Sequence, residues 1–155
     1  HEVRRQNRLL QGARVDEIIE NGENGFLSLG LQDKGYAFGI PLNYVKSDNS
    51  IYFHCAIEGV KLEMIKLNPK VSFCIVGITK PLPSVFSTIY ESVIIFGNIQ
   101  IITDIEAKMN ALKLIIKKYS PDYMDDGIKY SSKSEPRTTI LRLDIEHVTA
   151  KARQE

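Results

Sequence analysis

The pattern of apolar and polar residues along the chain predicts mainly β-strands separated by turn residues. The longest strand signal is TIYESVIIFGNIQII (88–102), in which Gly97 marks a bend or a bulge. ILRLDIEHV (140–148) alternates regularly, which predicts a half-buried strand with Leu141, Leu143, Ile145 and His147 on one face. The other predicted strands are FLSLGLQ (26–32) and YAFGIPLNYV (36–45), joined by a turn at Lys34-Gly35, and then IYFHC (51–55) and KVSFCIV (70–76).

Turn residues divide these strands. Pro41 has no N–H to donate to a ladder, so the strand over 36–45 should lie at an edge or bulge there. A flat ligand could approach the backbone at such a point. SDNS (47–50) predicts a tight turn. GITKPLPS (77–84) is rich in proline and is predicted to end regular structure. The polar stretch 120–137 is predicted to be irregular, as a surface excursion or a dimer-contact loop.

Three segments have helical signals. Residues 15–21 form a short predicted helix that Gly22 ends, and 60–67 form another that Asn68-Pro69 ends. The clearest helix covers 104–119, where Thr103 as N-cap and Glu106 have the spacing of a capping box. Its apolar stripe should pack on the sheet and consists of Ile105, Met109, Leu112, Ile115, Ile116 and Tyr119.

About six strands with two or three helices predict a mainly β protein, built as a closed or partly closed barrel. Strands and helices do not alternate regularly, so a doubly wound α/β fold is not expected. A chain of 155 residues without a boundary signal is expected to be one domain over 1–155. The motifs GxGxxG, P-loop and GxSxG are absent from the sequence, so dinucleotide-binding, ATPase and serine-hydrolase chemistry have little support.

Composition limits the classes of partner that the protein is expected to bind. Lys and Arg total 20 against 19 Asp and Glu, which gives a formal charge of +1 and no general attraction to nucleic acid or anionic membranes. No apolar run has the length of a membrane span, and no signal peptide is visible. Cys55 and Cys74 are the only two cysteines and are expected to be buried free thiols in a reducing cytoplasm. No metal site is predicted, and we leave His1 out of the functional interpretation because the chain does not begin with methionine.

Residues 51–76 contain the strongest functional signal. A predicted strand ends at His54, Cys55 and Ala56, the chain breaks at Glu58-Gly59, and a helix begins with Lys61 in its first turn. A strand that leads into a helix N-terminus forms an anion site, because free N–H groups and the positive end of the helix dipole face outward there. The spacing alone leaves two readings open: an anion-binding lysine or a solvated lysine on an ordinary helix.

The same segment, with His-Cys-Ala, Gly-x-Lys-Leu and Asn-Pro in order, resembles the FMN-binding split-barrel proteins. Within that group it resembles the nitroimidazole-resistance branch, whose members are relatives of pyridoxamine 5′-phosphate oxidase. Three further segments agree with the resemblance, which covers roughly residues 15 to 152: GYAFGIPLNYV (35–45), FSTIYESVIIFGNIQII (86–102) and LRLDIEHVTAKA (141–152).

The resemblance implies a split β-barrel that binds FMN as a homodimer, with the cofactor sites at the subunit interface. It implies that the phosphate is held by Lys61 and by hydroxyl groups on the 86–92 segment. It also implies that the flavin ring lies beside the 41–44 segment and beside the end of the following strand. The cofactor-binding residues that it assigns are Pro41, Leu42, Asn43, Tyr44, His54, Cys55, Ala56, Lys61, Ser87, Thr88 and Ser92.

His54 is the candidate catalytic residue, because an imidazole can donate a proton or hydrogen-bond a substrate near neutral pH. It is also a candidate flavin contact. The function expected from the resemblance is an FMN-dependent oxidoreductase that reduces a small electron-poor substrate such as a nitroimidazole, with electrons from a nicotinamide or another donor. Two alternatives stay open: an enzyme like pyridoxamine 5′-phosphate oxidase with another small substrate, and a flavin- or haem-binding protein without turnover.

Overall fold

The computed structural model describes residues 2–30, 35–56 and 59–154, without the side chain of Val60. The predicted turn at Lys34-Gly35, the end of the 26–32 strand and the break at Glu58 fall wholly or partly outside the described residues. The described strands are β1 (Gly25–Leu29), β2 (Phe38–Leu42), β3 (Val45–Ser47), β4 (Ser50–Ala56), β5 (Lys70–Leu82), β6 (Ser87–Ile102) and β7 (Thr138–Arg153). The described α-helices are α1 (Ala13–Asn21), α2 (Val60–Leu67), α3 (Ile105–Tyr119) and α4 (Met124–Ser134).

The seven described strands form one antiparallel sheet that curls into a half-barrel, in the order β2-β1-β5-β6-β7-β4-β3. The mainly β split barrel that the sequence predicts is therefore confirmed. The predicted strand over 36–45 is two strands, because the chain leaves β-geometry at Asn43 and Tyr44. β2 and β3 then lie at opposite edges of the sheet, although only these two residues separate them along the chain.

The predicted positions of Pro41 and of the 47–50 turn are confirmed. Pro41 lies in edge strand β2 opposite Phe26, where a missing N–H interrupts no second ladder. Ser47 pairs with Ser50 across a two-residue turn in which Asp48 has a positive φ of 52°. Aspartate tolerates this left-handed conformation better than most residues, which suits it to the turn.

The register shift at Gly97 confirms the predicted bulge. Gly97 pairs with Ile145 and Phe96 with His147, so β7 carries one extra residue there. A Cβ atom at Gly97 would overlap the backbone oxygen of Asp144. The extra residue reverses the alternation of β7, and the prediction that His147 shares a face with Leu143 is therefore wrong: Leu143 is buried and His147 is exposed.

The prediction that regular structure ends at 77–84 is also wrong. β5 continues to Leu82 and pairs with β6 beyond a register shift between Val76 and Thr79. Pro81 is tolerated because this extension pairs with β6 alone, whereas β1 reaches only as far as Cys74. The two strands thus form a long hairpin arm beyond the barrel.

The three predicted helices are confirmed in type, and three details need correction. Asp104 caps α3, because its carboxylate accepts the Ala107 N–H at 2.9 Å, and Thr103 is not the N-cap. Ile105 is 64% exposed and so leaves the predicted apolar stripe. Residues 120–137 are not irregular: they contain α4, which packs against α3. The helical signal is weak there, because Gly127 and three serines dilute the apolar positions of α4.

The core fills the inside of the curled sheet. Tyr44, Phe53 and Phe73 are fully buried and pack edge-to-face, with ring centroids 5.0 and 4.9 Å apart. A second, smaller cluster lies on the outer face of the sheet, where α3 covers Ile140. Within the described residues, no helix is long and apolar enough to cross a membrane.

Candidate functional site

The two sides of β4 have different environments. Phe53 is fully buried inside the barrel, and Cys55 packs against the same core as a half-buried free thiol. His54 lies on the opposite face, toward α3 and α4. Consecutive residues of one strand therefore deliver an imidazole outward and a thiol inward. Ala56 is exposed and pairs with Thr138 of β7.

His54 borders a cavity of about 250 Å³ between the sheet, α3 and α4. Among the described residues, its imidazole has no hydrogen-bond or ionic partner. The side chain keeps contact with solvent, yet partial burial lowers its pKa below 6.5, so the ring is neutral near pH 7. The other residues that line this cavity are Leu112, Ile115, Ile116, Tyr130, Ser131, Ser134 and Thr138.

Lys61 lies in the first turn of α2, which follows β4. The N-cap residue, Gly59, has a φ of 145° and provides no side-chain hydrogen bond to the helix start. Lys61 is half-buried and forms no ion pair with any residue in the described part of the chain. Its charge acts on the Cys55 thiol, whose pKa is raised by burial but held down in part by Lys61. The end of β4 and the start of α2 therefore lie together.

The hydroxyl residues of β6 lie elsewhere. Ser87 and Thr88 pair with β5 in the hairpin arm, and Ser92 pairs with Lys151 of β7. His54 lies at the same height along the strands as Ile102 of β6, because both residues pair with Ile140 of β7. Ser92 is ten residues from Ile102 along β6, which corresponds to about 33 Å of extended strand. The curvature of the sheet makes the direct distance shorter but does not bring the two residues together. One protomer therefore does not bring Lys61 and these hydroxyl groups to the same phosphate.

Pro41 and Leu42 lie at the β2 edge, toward the Ser92 end of the sheet. Pro41 is level with Ile94 of β6 through its neighbours in β1 and β5. Asn43 is exposed and lines a different cavity, of about 480 Å³, together with Lys118 and Tyr119. The register of β2 therefore places Pro41 and Leu42 away from His54. Asn43 lies two residues before Val45, which pairs with Tyr52, so it is near the level of His54 but lines a different cavity.

Tyr44 is used inside the protein. Its side chain is fully buried, and its hydroxyl donates to the backbone oxygen of Ile19 at 2.6 Å. Its N–H donates to the Tyr119 hydroxyl at 2.9 Å, and its carbonyl accepts from Lys118 Nζ at 2.9 Å. Burial raises the pKa of the Tyr44 hydroxyl and lowers that of the Lys118 ammonium. These bonds fix the connection between the two edge strands to α1 and α3.

Sequence analysis missed a buried ion pair. Glu91 of β6 is 5% exposed, and its carboxylate accepts from Arg14 Nε at 2.7 Å and from Arg14 Nη2 at 2.6 Å. It also accepts the Ile78 N–H at 3.0 Å. The Arg14 guanidinium holds the pKa of Glu91 below its ordinary value. The available signal was that Glu91 is in phase with the apolar inward positions Val93 and Ile95.

The α4 residues that border the His54 cavity were also missed, because 120–137 was predicted to be irregular. Met124 and Ile128 are half-buried and four residues apart, which is the spacing of one helix face. This was the available signal for α4 in the sequence. It identifies a helix but not a cavity beneath it.

The curled antiparallel sheet with peripheral helices defines a split-barrel protein. A family model described as pyridoxamine 5′-phosphate oxidase matches residues 12–152. The chain belongs to this family, which confirms the resemblance found in the sequence. A search of curated proteins gave no significant match.

Solved structures share the fold. A candidate 5-nitroimidazole antibiotic resistance protein from Bacteroides thetaiotaomicron has a TM-score of 0.74 and 23% identity, over 92% of this chain and 85% of that one. The flavocytochrome Anf3 from Azotobacter vinelandii has a TM-score of 0.84 and 16% identity, over 100% and 73%. An FAD- and haem-binding protein from Mycobacterium smegmatis has a TM-score of 0.79 and 15% identity, over 94% and 72%.

Proposed function

We propose that this protein binds FMN and is an oxidoreductase that reduces a small electron-poor substrate such as a nitroaromatic compound. The observation that carries this proposal is the start of α2, where an uncapped helix end and an unpaired Lys61, within the described residues, follow β4. Family membership and the flavin-binding solved relatives support a flavin. The Bacteroides protein supports a nitroaromatic substrate.

The residues present fit a phosphorylated flavin. The N–H groups at the start of α2 and the Lys61 ammonium suit a phosphate, since the helix dipole and the side-chain charge act in the same direction. The outer edge of β2 is unpaired in the described sheet and presents backbone groups to a flat polar ring. A bound flavin supplies the electron transfer, while the chain binds and orients it and excludes water.

Lys61→Ala tests the phosphate role. A charge-assisted hydrogen bond contributes about 1.5–3 kcal/mol, so its loss should weaken FMN binding about 10- to 150-fold. Riboflavin lacks the phosphate, and its affinity should change little. Lys66→Ala is the matched control, because Lys66 is exposed in the last turn of the same helix and pairs with Glu63 at 3.7 Å.

Fluorescence titration of apo-protein with FMN and with riboflavin measures these affinities. Equal losses for the two ligands in Lys61→Ala would indicate general destabilisation. No loss for either ligand would remove Lys61 from the phosphate site. If Lys66→Ala weakens FMN binding as much as Lys61→Ala does, the effect is a long-range charge effect and not a contact.

The separation of the candidate residues supports a homodimer in which each flavin site uses both copies. Lys61 and Ser92 lie far apart along the sheet, so a phosphate site that uses both would be incomplete in one protomer. The outer face of the central strands carries exposed apolar side chains, including Phe26, which is 50% exposed, and Val76, which is 59% exposed. A second copy related by twofold symmetry would cover this face and bring hydroxyl groups of one copy to Lys61 of the other.

A haem-binding function without turnover is the second candidate. It is supported by the unpartnered imidazole of His54 in the described structure and by the two haem- or cytochrome-type relatives. The cavity beside His54, about 250 Å³, is below the usual range of about 300–1,000 Å³ even for drug-sized ligands. The absorption spectrum of the purified protein separates the candidates: flavin bands that bleach on reduction support FMN, and a Soret band supports haem.

A further inference from the structure

We propose that the cavity between β4, α3 and α4 binds a single uncharged aromatic or heteroaromatic ring, and that α4 determines which rings fit. This inference rests on the proposed function, because the ring would be the electron acceptor of the flavin enzyme. It assigns a role to Tyr130, Ser131 and Ser134, which lie between the 86–102 and 141–152 segments of the resemblance and belong to neither.

The size and the walls favour one ring. The cavity volume of about 250 Å³ is smaller than that of sites for drug-sized ligands, which occupy about 300–1,000 Å³. Leu112, Ile115 and Ile116 of α3 form an apolar wall. Such a wall gains free energy by covering a flat apolar surface.

The polar groups favour an uncharged ligand that forms hydrogen bonds. The His54 imidazole has no partner among the described residues and, being neutral near pH 7, offers one donor and one acceptor. Ser131 is 5% exposed, and its hydroxyl has no hydrogen bond within the described part of the chain. The Thr138 hydroxyl is already used, because it donates to the Ser134 carbonyl at 2.9 Å.

The residues that line the cavity in the described structure include no lysine, arginine, aspartate or glutamate. A charged ligand would lose its hydration without gaining an ionic partner, which is costly. The ligand chemistry that fits is therefore a monocyclic ring with a neutral acceptor such as a nitro or carbonyl oxygen. His54 can donate to that acceptor, and α4 provides the opposite wall.

Ser134→Val and Ser132→Val form a matched pair on one helix. Ser134 is half-buried and lines the cavity, whereas Ser132 is exposed and bonds back to the Ile128 carbonyl at 2.9 Å. Both variants exchange serine for valine on α4, but only Ser134→Val places extra side-chain volume inside the cavity and so makes the cavity smaller. We expect Ser134→Val to weaken binding of 4-nitrobenzyl alcohol about tenfold or more, and Ser132→Val to leave it unchanged.

Calorimetric titration of the apo-protein and of the FMN-loaded protein measures this binding. The wild type should bind 4-nitrobenzoate about tenfold or more weakly than 4-nitrobenzyl alcohol, because the two differ in charge at nearly constant size. FMN affinity should be the same in the wild type and in both serine variants. If Ser134→Val fails to fold, NMR of the wild type decides: the alcohol should shift the ring resonances of His54 and leave those of His147 in place.

Several outcomes would overturn the proposal: equal effects of the two serine variants, preference for the carboxylate, or unshifted His54 resonances at saturating alcohol. Loss of FMN affinity in Ser134→Val alone would also overturn it, because the cavity would then hold the flavin. If the wild type binds no FMN but binds the alcohol with the expected serine effects, the proposed function fails and the ring site stands. If FMN binds and the alcohol does not, the ring site alone fails.

Discussion

At the scale of single residues, alternation along a strand predicts which way a side chain points but not what it meets. The phase of Glu91 with Val93 and Ile95 indicates an inward carboxylate. Its partner, Arg14, is 77 positions away, and no local pattern connects the two. His54 is similar: its outward face follows from alternation, whereas the cavity depends on helices that begin only at Ile105 and Met124.

Glu91→Gln should lower the free energy of unfolding at pH 7 by about 1–3 kcal/mol, because the charged hydrogen bonds from Arg14 become weaker or are lost. The folded-state pKa of Glu91 lies below its ordinary value of 4.5. The folded protein thus holds fewer protons than the unfolded chain near that pH, and the stability is present above 4.5 and lost as the pH falls through the lowered pKa.

Urea unfolding at pH 7 and at decreasing pH measures this effect. The difference in stability between the wild type and Glu91→Gln should shrink in acid. Glu17→Gln is the control, since Glu17 also contacts Arg14, at 3.0 Å, but its side chain is 56% exposed. Exposed pairs contribute about 0–1 kcal/mol, so a similar loss in both variants would contradict the importance of burial at Glu91.

His54→Gln should keep the fold and FMN affinity and lower the rate of substrate reduction. Glutamine retains a donor and an acceptor but cannot be protonated, so the reduction rate should also lose its pH dependence near the lowered pKa of His54. Stopped-flow reduction of a nitroaromatic compound at several pH values measures both. A variant that purifies without flavin would assign His54 to cofactor binding and remove its catalytic role.

At the scale of elements, helix and strand types were predictable and their ends were not. Thr103 and Asp104 are adjacent residues that can both cap a helix, and the capping-box spacing favours the first. In the structure Asp104 is the N-cap, because its side chain accepts the hydrogen bond from the Ala107 N–H. The β5 extension was missed because proline normally ends a strand, and only the sheet order shows that Pro81 lacks a second neighbour.

Asp104→Ala should destabilise the protein by about 1 kcal/mol, since the Ala107 N–H loses its acceptor and the helix dipole loses a favourable charge. Thr103→Ala should change stability by less than about half of that. Thermal unfolding of both variants under one set of conditions makes the comparison. A larger effect at Thr103 would show that the capping box forms in solution.

At the scale of the whole molecule, the strand order could not be derived from local patterns, because register and neighbours depend on pairings between distant segments. The strand pattern predicted a closed or partly closed barrel and the resemblance predicted a split barrel, while the structure added the separation of Lys61 from the β6 hydroxyl groups. That separation changes how the predicted cofactor-binding residues are interpreted. They were predicted to form one flavin site, but those of a single protomer would contribute to two different flavin sites of a dimer.

Val76→Lys tests the dimer that would complete those sites. Val76 is 59% exposed in one protomer, so lysine should be tolerated by the fold, but twofold symmetry would place two added charges in the proposed interface. We expect a monomer with weakened FMN binding. Ile105→Lys is the control, because Ile105 is 64% exposed on α3 and should leave the dimer intact. Light scattering with flavin titration measures both, and a flavin-loaded monomer would contradict the shared site.

The central place of β7 has a consequence for how the chain reaches this structure. β7 comes last along the chain among the described strands, yet it lies between β6 and β4, and Asp144 pairs with Ser50. The barrel therefore cannot close on the ribosome until β7 has emerged, and until then the β4 edge that pairs with β7 stays open. Pairings this distant in sequence slow folding, typically to milliseconds or seconds. During that time the open strand edge and the uncovered apolar surface make the nascent protein prone to aggregation.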